Sequence, residues 1–283
     1  MLVDRLLRHP RELSQLVHAR AEVAIARLSD RVAFDRHGAG PALIFVAGAG
    51  PWRESDPTTT ETAELLAELG TTAVVYDRLG RGDSAAAAVL TLEREMAALA
   101  ALIDTAAPGG GGAVLCGHSS GGSLALHAAA SGLPISGLAL WETPLAPPDS
   151  GARQLSDDLR GLVEVGDLNG ALTLYMKDMP PEILEIVRSI PAMVDQAGSL
   201  QPDADSLAWA ESASHAELFA GIRVPVVALV GEQSYDDVIV PAAESIVASI
   251  PTADWKRIAG AEHQWEPAPM AAELANFVHR IQS

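Results

Sequence analysis

The chain has 283 residues, of which 48% are hydrophobic, enough for one large α/β domain or two small domains. Its formal charge of −18 at pH 7 would repel phosphate backbones and anionic lipid headgroups, which argues against nucleic acids and membrane surfaces as partners. Charges interrupt residues 1–10, and no run approaches the roughly 20 apolar residues that cross a bilayer. Because Cys116 is the single cysteine, no intrachain disulfide can form, and we expect a cytoplasmic protein.

The first segment carries apolar residues at helical spacing. Residues 11–29 place six such residues among Arg and Glu, which predicts a helix within an N-terminal extension over residues 1–30. We expect this helix to cap the sheet, to pack on a lid, or to pair with a second copy of the chain. A homodimer through the helix is therefore one of three open alternatives.

Short apolar runs then alternate with helical segments. They predict buried strands at 32–34, 42–46, 72–76, 113–116 and 135–141, and helices at about 60–69, 91–106 and 123–130. Repeated alternation of strand and helix predicts an α/β protein with a doubly wound, mostly parallel sheet.

The pattern changes after residue 144. Residues 145–220 contain helical segments broken by prolines and no convincing strand. Strand-like runs return at 224–231 and 255–258, and a helix is predicted at 268–281. We therefore expect one core, made of residues 31–144 and 221–283, with residues 145–220 inserted as a helical lid.

A candidate nucleophile follows the strand predicted at 113–116. The sequence there is Gly117-His118-Ser119-Ser120-Gly121, and a helix comes next. Between a strand and a helix, a Gly-x-Ser-x-Gly pattern indicates a sharp turn that exposes the middle hydroxyl, and its glycines let strand and helix approach closely. Ser119 is therefore the predicted nucleophile; the alternative is a glycine-flanked turn without chemistry.

A serine hydroxyl needs a base, normally a histidine held by a carboxylate. Of the eight histidines, His263 is the best placed, after the last predicted strand and before the last helix. Ligands bind at the carboxyl edge of a parallel sheet, where Ser119 is also expected. A solvated loop histidine is the alternative interpretation.

With these features, the chain resembles the α/β-hydrolase superfamily over residues 31–283. The match consists of the turn around Ser119, the late His263, the strand order, the lid position and the stretch 76–84, which is similar to the family's Asp-x-x-Gly-x-Gly-x-Ser sequence and which we interpret as architectural. The resemblance implies the α/β-hydrolase fold. A serine nucleophile implies acyl transfer, whereas relatives that open epoxides or displace halide attack with aspartate and are disfavoured.

The chain departs from the family at the loop after strand 42–46, where Ala47-Gly48 replaces the usual His-Gly. The backbone N–H groups of Ala49 and Ser120 are still expected to form the oxyanion hole, since backbone donors do not need the histidine. Gly48 and Gly50 are alternatively plain turn glycines.

The acid has two candidate positions. The resemblance most often implies an aspartate shortly after the strand ending at Gly231, where this chain has Ser234, with Asp236 and Asp237 further on. Some haloalkane dehalogenases use the end of the strand after the nucleophile, which here holds Glu142. A glutamate at the edge of a buried strand needs a partner such as His263, so we favour Glu142 over Asp236 or Asp237, or neither.

The lid is expected to shape a pocket for a small-molecule substrate. The residues predicted to contact that substrate are Gly48, Trp52, His118, Met176 and Trp209. The sequence shows no metal cluster and no dinucleotide fingerprint, so no cofactor is expected. The predicted function is hydrolysis of a small or medium apolar carboxylic ester, lactone or thioester through an acyl-enzyme. The alternatives are a lyase, cyclase or isomerase step on a natural-product intermediate, and a binding protein without chemistry.

Overall fold

In the computed structural model of the chain, the described residues are 19–24, 31–84, 86, 89–179, 181–234 and 236–282, with backbone alone at 19–24 and 236. Nine strands in this part of the chain form one sheet in the order β1-β2-β4-β3-β5-β6-β7-β8-β9. The neighbours from β4 to β8 in that order are parallel, whereas β1, β2 and β9 join antiparallel. The strands are β1 Ala19–Ala24, β2 Arg31–His37, β3 Ala42–Val46, β4 Thr72–Tyr76, β5 Ala113–His118, β6 Ile135–Trp141, β7 Val226–Gln233, β8 Ala253–Ala261 and β9 Gln264–Trp265.

Helices cover both faces of the sheet. The α-helices are α1 Pro57–Glu68, α2 Leu92–Ala106, α3 Ser120–Ala130, α4 Ala152–Glu164, α5 Leu168–Tyr175, α6 Pro181–Arg188, α7 Pro191–Asp195, α8 Gln201–Glu211, α9 His215–Leu218, α10 Asp236–Ser249 and α11 Pro267–Gln282, and Arg53–Ser55 and Ala197–Leu200 are 3₁₀ helices. Apolar residues of α2, α3 and α10 pack on one face of the sheet, and those of α1 and α11 pack on the other. Because both faces are covered, β3 and β4 are buried at every position, which explains their continuous apolar sequences. The predicted doubly wound sheet is confirmed.

The N-terminal prediction is wrong where the structure can test it. Residues Ala19–Ala24 form β1, which pairs antiparallel with β2, rather than part of a helix. Their sequence alternates small or apolar residues with Arg20 and Glu22, a period of two that suits a strand. The edge of β2 offers backbone groups for pairing, which local helical spacing cannot reveal. The remainder of the predicted helix, and hence its proposed dimer contact, lies outside the described residues.

Between β6 and β7 the described residues form helices α4 to α9 and no strand. They have a small apolar core of their own, built around Leu159, Leu172 and Leu200. Ala49, in the loop after β3, packs against this core. The segment between β6 and β7 therefore touches the loop that was predicted to hold the oxyanion. No helix in the described ranges is long and apolar enough to cross a membrane.

Candidate active site

Ser119 lies at the tip of the turn between β5 and α3. Its backbone has φ 53° and ψ −129°, in a region that a residue with a side chain rarely adopts. Its N–H donates to the Trp141 carbonyl at 2.9 Å, and its own carbonyl accepts the Gly122 N–H at 2.8 Å. These bonds hold the strained backbone and leave the Ser119 side chain half-buried at the carboxyl edge of the sheet.

The flanking glycines are required by packing. A Cβ at Gly117 would overlap the backbone of Gly122, and one at Gly121 would overlap the carbonyl oxygens of Val46 and Ala47. The start of α3 is thus pressed against the ends of β3 and β5. Any larger residue would push the helix, and Ser119 with it, away from the sheet.

His263 and Glu142 meet at the same edge. The Nδ1 of His263 donates to Glu142 Oε2 at 2.6 Å, and Glu142 Oε1 accepts the Gly231 N–H at 3.0 Å. Glu142 follows β6 directly and is only 1% exposed, whereas the His263 side chain is 35% exposed. With Nδ1 engaged by the carboxylate, Nε2 is the ring nitrogen of His263 that can take a proton from another group.

Burial alone would raise the pKa of the Glu142 carboxyl, because it penalises the charged form. The hydrogen bond from His263, the nearby Ser234 hydroxyl and the Gly231 N–H act in the opposite direction and leave this pKa below its ordinary value. Glu142 is therefore a carboxylate at neutral pH and can stabilise a positive charge on His263.

The two predicted acid positions differ clearly. Glu142 is the carboxylate in contact with His263. Asp237 lies exposed near the start of α10. Asp236 is the first residue of α10, and its side chain lies outside the described part of the chain.

His118 connects the two sides of the site. Its Nε2 donates to the His263 carbonyl oxygen at 2.9 Å, and Trp141 Nε1 donates to the same oxygen at 3.2 Å. Burial, helped by the nearby His263, lowers the pKa of His118 to about 4, so the ring is neutral at pH 7. His118, the neighbour of Ser119 that was predicted to contact substrate, therefore holds the His263 loop together with Trp141, each through one hydrogen bond to the same carbonyl oxygen.

The predicted oxyanion loop passes directly beside the nucleophile. A Cβ at Gly48 would lie 2.9 Å from the His118 carbonyl oxygen and 3.0 Å from the Ser119 Cβ, so a side chain there would crowd the site. Ala49 follows, half-buried. On the other side, Arg81 Nη1 donates to the Gly48 carbonyl, and Arg78 Nη1 donates to the Ala47 carbonyl at 3.2 Å.

These arginines belong to a fully buried charge network. Arg78 donates from Nη1 to Asp203 Oδ1 at 2.6 Å and from Nε to Glu95 Oε1 at 2.8 Å. Arg81 Nη2 donates to Asp203 Oδ2 at 2.8 Å. The Ser120 hydroxyl donates to Asp203 Oδ1 at 2.7 Å. Asp203, on α8, thereby joins the segment between β6 and β7 to the turn that carries Ser119.

Burial and mutual repulsion do not remove these charges. Burial, together with repulsion from Arg78, lowers the pKa of the Arg81 guanidinium to about 10, which still leaves it positive at pH 7. For Asp203, burial acts to raise the pKa, but the two arginines outweigh it and the pKa lies below its ordinary value. The network therefore contains a buried carboxylate held between two cations.

This network was not predicted from the sequence. Stretch 76–84 was predicted to be architectural, and Asp77 does accept the N–H groups of Arg53 and Asp83 at 2.7 and 2.9 Å. Arg78 and Arg81 were visible as two cations after a buried strand. Their partner Asp203 is more than 100 residues away, and no local pattern distinguishes it from the other acids of α8.

The predicted pocket residues are distributed unevenly. Trp52 lines a small cavity together with His118 and Trp265. Met176 packs into the apolar core of helices α4 to α8, on which Ala49 also rests. An unpredicted residue, Met193 of α7, has its methyl group against Gly50.

The prediction for Trp209 is not supported. Its ring packs edge-on against His127, with centroids 4.9 Å apart, and lies 5.9 Å from the Phe219 ring. His127 is eight residues along α3 from Ser119, a distance of about 12 Å at the helical rise. Trp209 therefore fills the core beneath α8 instead of facing the nucleophile.

No described cluster of three or more His, Cys, Asp or Glu side chains is placed to hold a metal ion.

Comparison with known proteins agrees with this architecture. Residues 37–277 match the model of the Alpha/beta hydrolase family. The chain is 30% identical to an alpha/beta hydrolase of Sphaerobacter thermophilus DSM 20745, with a TM-score of 0.73 over 91% of this chain and 99% of that one. No curated protein sequence matches the chain significantly.

Two more distant structures share the fold. A thermophilic esterase from Thermogutta terrifontis is 22% identical, with a TM-score of 0.65 over 94% of this chain and 100% of that one. The enol-lactonase from Burkholderia xenovorans LB400 is 18% identical, with a TM-score of 0.61 over 93% and 99%. Because the family match spans most of the sequence, the chain belongs to the alpha/beta hydrolase family.

Proposed function

We propose that the protein hydrolyses a small or medium apolar carboxylic ester, lactone or thioester through an acyl-enzyme on Ser119. The observation that carries this proposal is the 2.6 Å hydrogen bond from His263 Nδ1 to the buried Glu142 carboxylate, at the sheet edge that also holds Ser119. The fold is shared with an esterase and an enol-lactonase, which supports ester or lactone chemistry.

In the acylation step, Ser119 Oγ attacks the carbonyl carbon while its proton passes to Nε2 of His263. Glu142 stabilises the resulting imidazolium and keeps the ring in the required tautomer. The tetrahedral intermediate collapses, the bond to the leaving oxygen or sulfur breaks, and His263 returns the proton to that atom. The serine is then acylated and the alcohol or thiol leaves.

Deacylation repeats these steps with water. His263 takes a proton from the water, whose oxygen attacks the acyl carbon, and then gives that proton to Ser119 Oγ as the carboxylic acid leaves. One water is consumed for each ester, so the overall reaction is hydrolysis.

The N–H groups of Ala49 and Ser120 hold the developing oxyanion, each contributing roughly 3 kcal/mol to lowering the barrier. The helices between β6 and β7 act as a lid, with Met193 against Gly50 of the oxyanion loop and Trp52 on that same loop. Apolar side chains of this kind bind an apolar acyl or alcohol group.

A burst-phase assay with p-nitrophenyl butyrate tests the proposal. Wild type should release nitrophenolate in a burst equal to the enzyme concentration, followed by slower turnover, and Ser119→Ala should lose both. Ser131→Ala, at the exposed end of α3, is the matched control and should behave as wild type. A burst that survives in Ser119→Ala would overturn the proposal, as would wild-type protein that turns over no activated ester.

A further inference from the structure

We propose that Asp203 is a positioning residue that keeps the two donors of the oxyanion hole, the N–H groups of Ala49 and Ser120, in register with each other. It acts through Arg81 on the first donor and through the Ser120 side chain on the second. The inference rests on the proposed function and deepens it, because it assigns a role in the reaction to a residue outside the Ser119, His263 and Glu142 triad.

The first connection runs through one peptide unit. Gly48 C=O and Ala49 N–H belong to the same planar trans peptide, so they point in opposite directions. Arg81 Nη1 donates to that carbonyl, and Arg81 Nη2 is held by Asp203 Oδ2 at 2.8 Å. The guanidinium therefore fixes the peptide plane and directs the Ala49 N–H away from itself. The same bond polarises the peptide and strengthens the N–H as a donor.

The second connection runs through the first residue of α3. Ser120 Oγ donates to Asp203 Oδ1 at 2.7 Å, so the side chain of the residue that supplies the second N–H is tied to the same carboxylate. Arg78 Nη1 holds this oxygen as well, at 2.6 Å, and reaches the Ala47 carbonyl. One carboxylate thus connects the loop after β3 with the N-terminus of α3.

The hydrogen bonds of Asp203 to Arg81 and Ser120 are buried away from water, so they hold these groups in fixed positions. Arg81 and Asp203 have no exposed side-chain surface, and Ser120 is almost fully buried. Buried ion pairs often contribute little net stability, because desolvation offsets the attraction. In this network the hydrogen bonds of Asp203 to Arg78, Arg81 and Ser120 fix the relative positions of these groups. A misplacement of about 1 Å at a reacting centre can cost about 100-fold in rate. An anchor that holds both donors therefore has a direct consequence for the barrier.

The test compares an ester with its thionoester, in which sulfur replaces the carbonyl oxygen. Sulfur is a weak hydrogen-bond acceptor, so thionoester turnover draws little on the oxyanion hole. We expect Asp203→Asn to lower kcat for the ester about 10- to 100-fold with KM little changed, and to lower the ester-to-thionoester ratio of kcat/KM by a similar factor. A role confined to structure would lower both substrates together and leave the ratio unchanged.

Asp205→Asn is the matched control, since it makes the same change two residues along α8. Asp205 accepts hydrogen bonds from Ser156, Gln201 and Arg160, all within the helices between β6 and β7. Its ester-to-thionoester ratio should equal that of wild type.

Two further variants keep the test decisive if Asp203→Asn does not fold. Ser120→Ala removes one hydrogen bond to Asp203 but retains the backbone N–H, and Arg81→Lys retains the charge but cannot bridge Gly48 and Asp203. Each should lower the ester-to-thionoester ratio. An active wild type in which all folded variants keep the wild-type ratio would overturn the inference alone. A wild type without turnover dependent on Ser119 would overturn the proposed function and the inference with it.

Discussion

At the scale of single residues, backbone strain is concentrated at the candidate site. Five described residues other than glycine have positive φ, and four of them are Ser119, Glu142, Glu262 and His263. Such conformations persist only where the surroundings fix them. The backbone conformations of the proposed nucleophile, base and acid therefore all depend on packing at the sheet edge. The local sequence alone would not keep any of the three at positive φ.

Glu142→Gln tests the proposed acid. Glutamine can still accept a hydrogen bond from His263 but cannot neutralise an imidazolium, so kcat toward a p-nitrophenyl ester should fall about 10³- to 10⁴-fold. Asp237→Asn changes an exposed acid near the alternative position and should leave kcat within about twofold, as expected for a surface residue. If kcat instead falls strongly in Asp237→Asn and little in Glu142→Gln, the carboxylate that assists His263 lies after β7 and is not Glu142.

Gly48→Ala tests how closely the oxyanion loop approaches the nucleophile. The new Cβ would lie 2.9 Å from the His118 carbonyl oxygen, so the loop must shift. We expect the free energy of unfolding to fall by about 1–3 kcal/mol, as for an overpacked core. We also expect kcat to fall, because the shifted loop no longer holds the Ala49 N–H beside Ser119. Gly161→Ala is the control: a Cβ there meets nothing within 4 Å, and an alanine in helix α4 should raise stability by up to about 1 kcal/mol with unchanged activity. Equal activity in both variants would contradict the proposed loop geometry.

At the scale of elements, the buried strands were the most predictable part of the chain. β3, β4 and β6 begin and end at the predicted residues, because a strand covered on both faces needs an uninterrupted apolar sequence. Residues 19–24 were predicted to be helical but form β1, because pairing with β2 stabilises a strand there. Helix α10 and strand β9 were not predicted. Helix α10 carries Pro241 within it, a residue that usually argues against a helix.

The same contrast applies to the candidate site. The positions of Ser119 and His263 at the sheet edge could be predicted from local patterns, because Ser119 lies between β5 and α3 and His263 comes just after β8. The anchor at Asp203 could not, because what distinguishes it is burial between two arginines from a distant loop. The environment of the Trp209 ring could not be predicted for a related reason, since the ring packs on His127 of α3 and on Phe219.

Leu159→Ala tests whether helices α4 to α8 have a core of their own. Leu159 is fully buried in that cluster, so its truncation should cost about 2–5 kcal/mol in the free energy of unfolding. Val165→Ala, at the end of the same helix and 79% exposed, should change stability by less than about 0.5 kcal/mol. Urea denaturation measures both variants. A small effect for Leu159→Ala would mean that this cluster does not stabilise the fold.

At the scale of the whole molecule, lowering the pH changes the free energy of unfolding through two opposing effects. The net charge of −18 falls in magnitude as the pH approaches the isoelectric point near 4.7, which relieves repulsion and favours the folded state. His118 acts in the other direction. Its pKa is about 4 in the folded protein, below the ordinary value of 6.5, so the unfolded chain binds its proton first as the pH falls.

The contribution of His118 is therefore complete above about pH 6.5, where both states are neutral, and is lost progressively as the pH falls toward 4. His118→Gln keeps a donor for the His263 carbonyl but cannot titrate. Its stability, measured by urea denaturation, should decline less between pH 7 and pH 5 than that of wild type. The same decline in both proteins would show that His118 does not titrate differently on unfolding.

The proposed triad places one reactive serine in a chain that contains many ordinary ones. Labelling with a fluorophosphonate, followed by mass spectrometry of the intact protein and its peptides, reports that serine directly. The account predicts a single adduct on Ser119, absent in Ser119→Ala and formed much more slowly in Glu142→Gln. An adduct on another residue, or wild-type protein that stays unlabelled while folded, would contradict it.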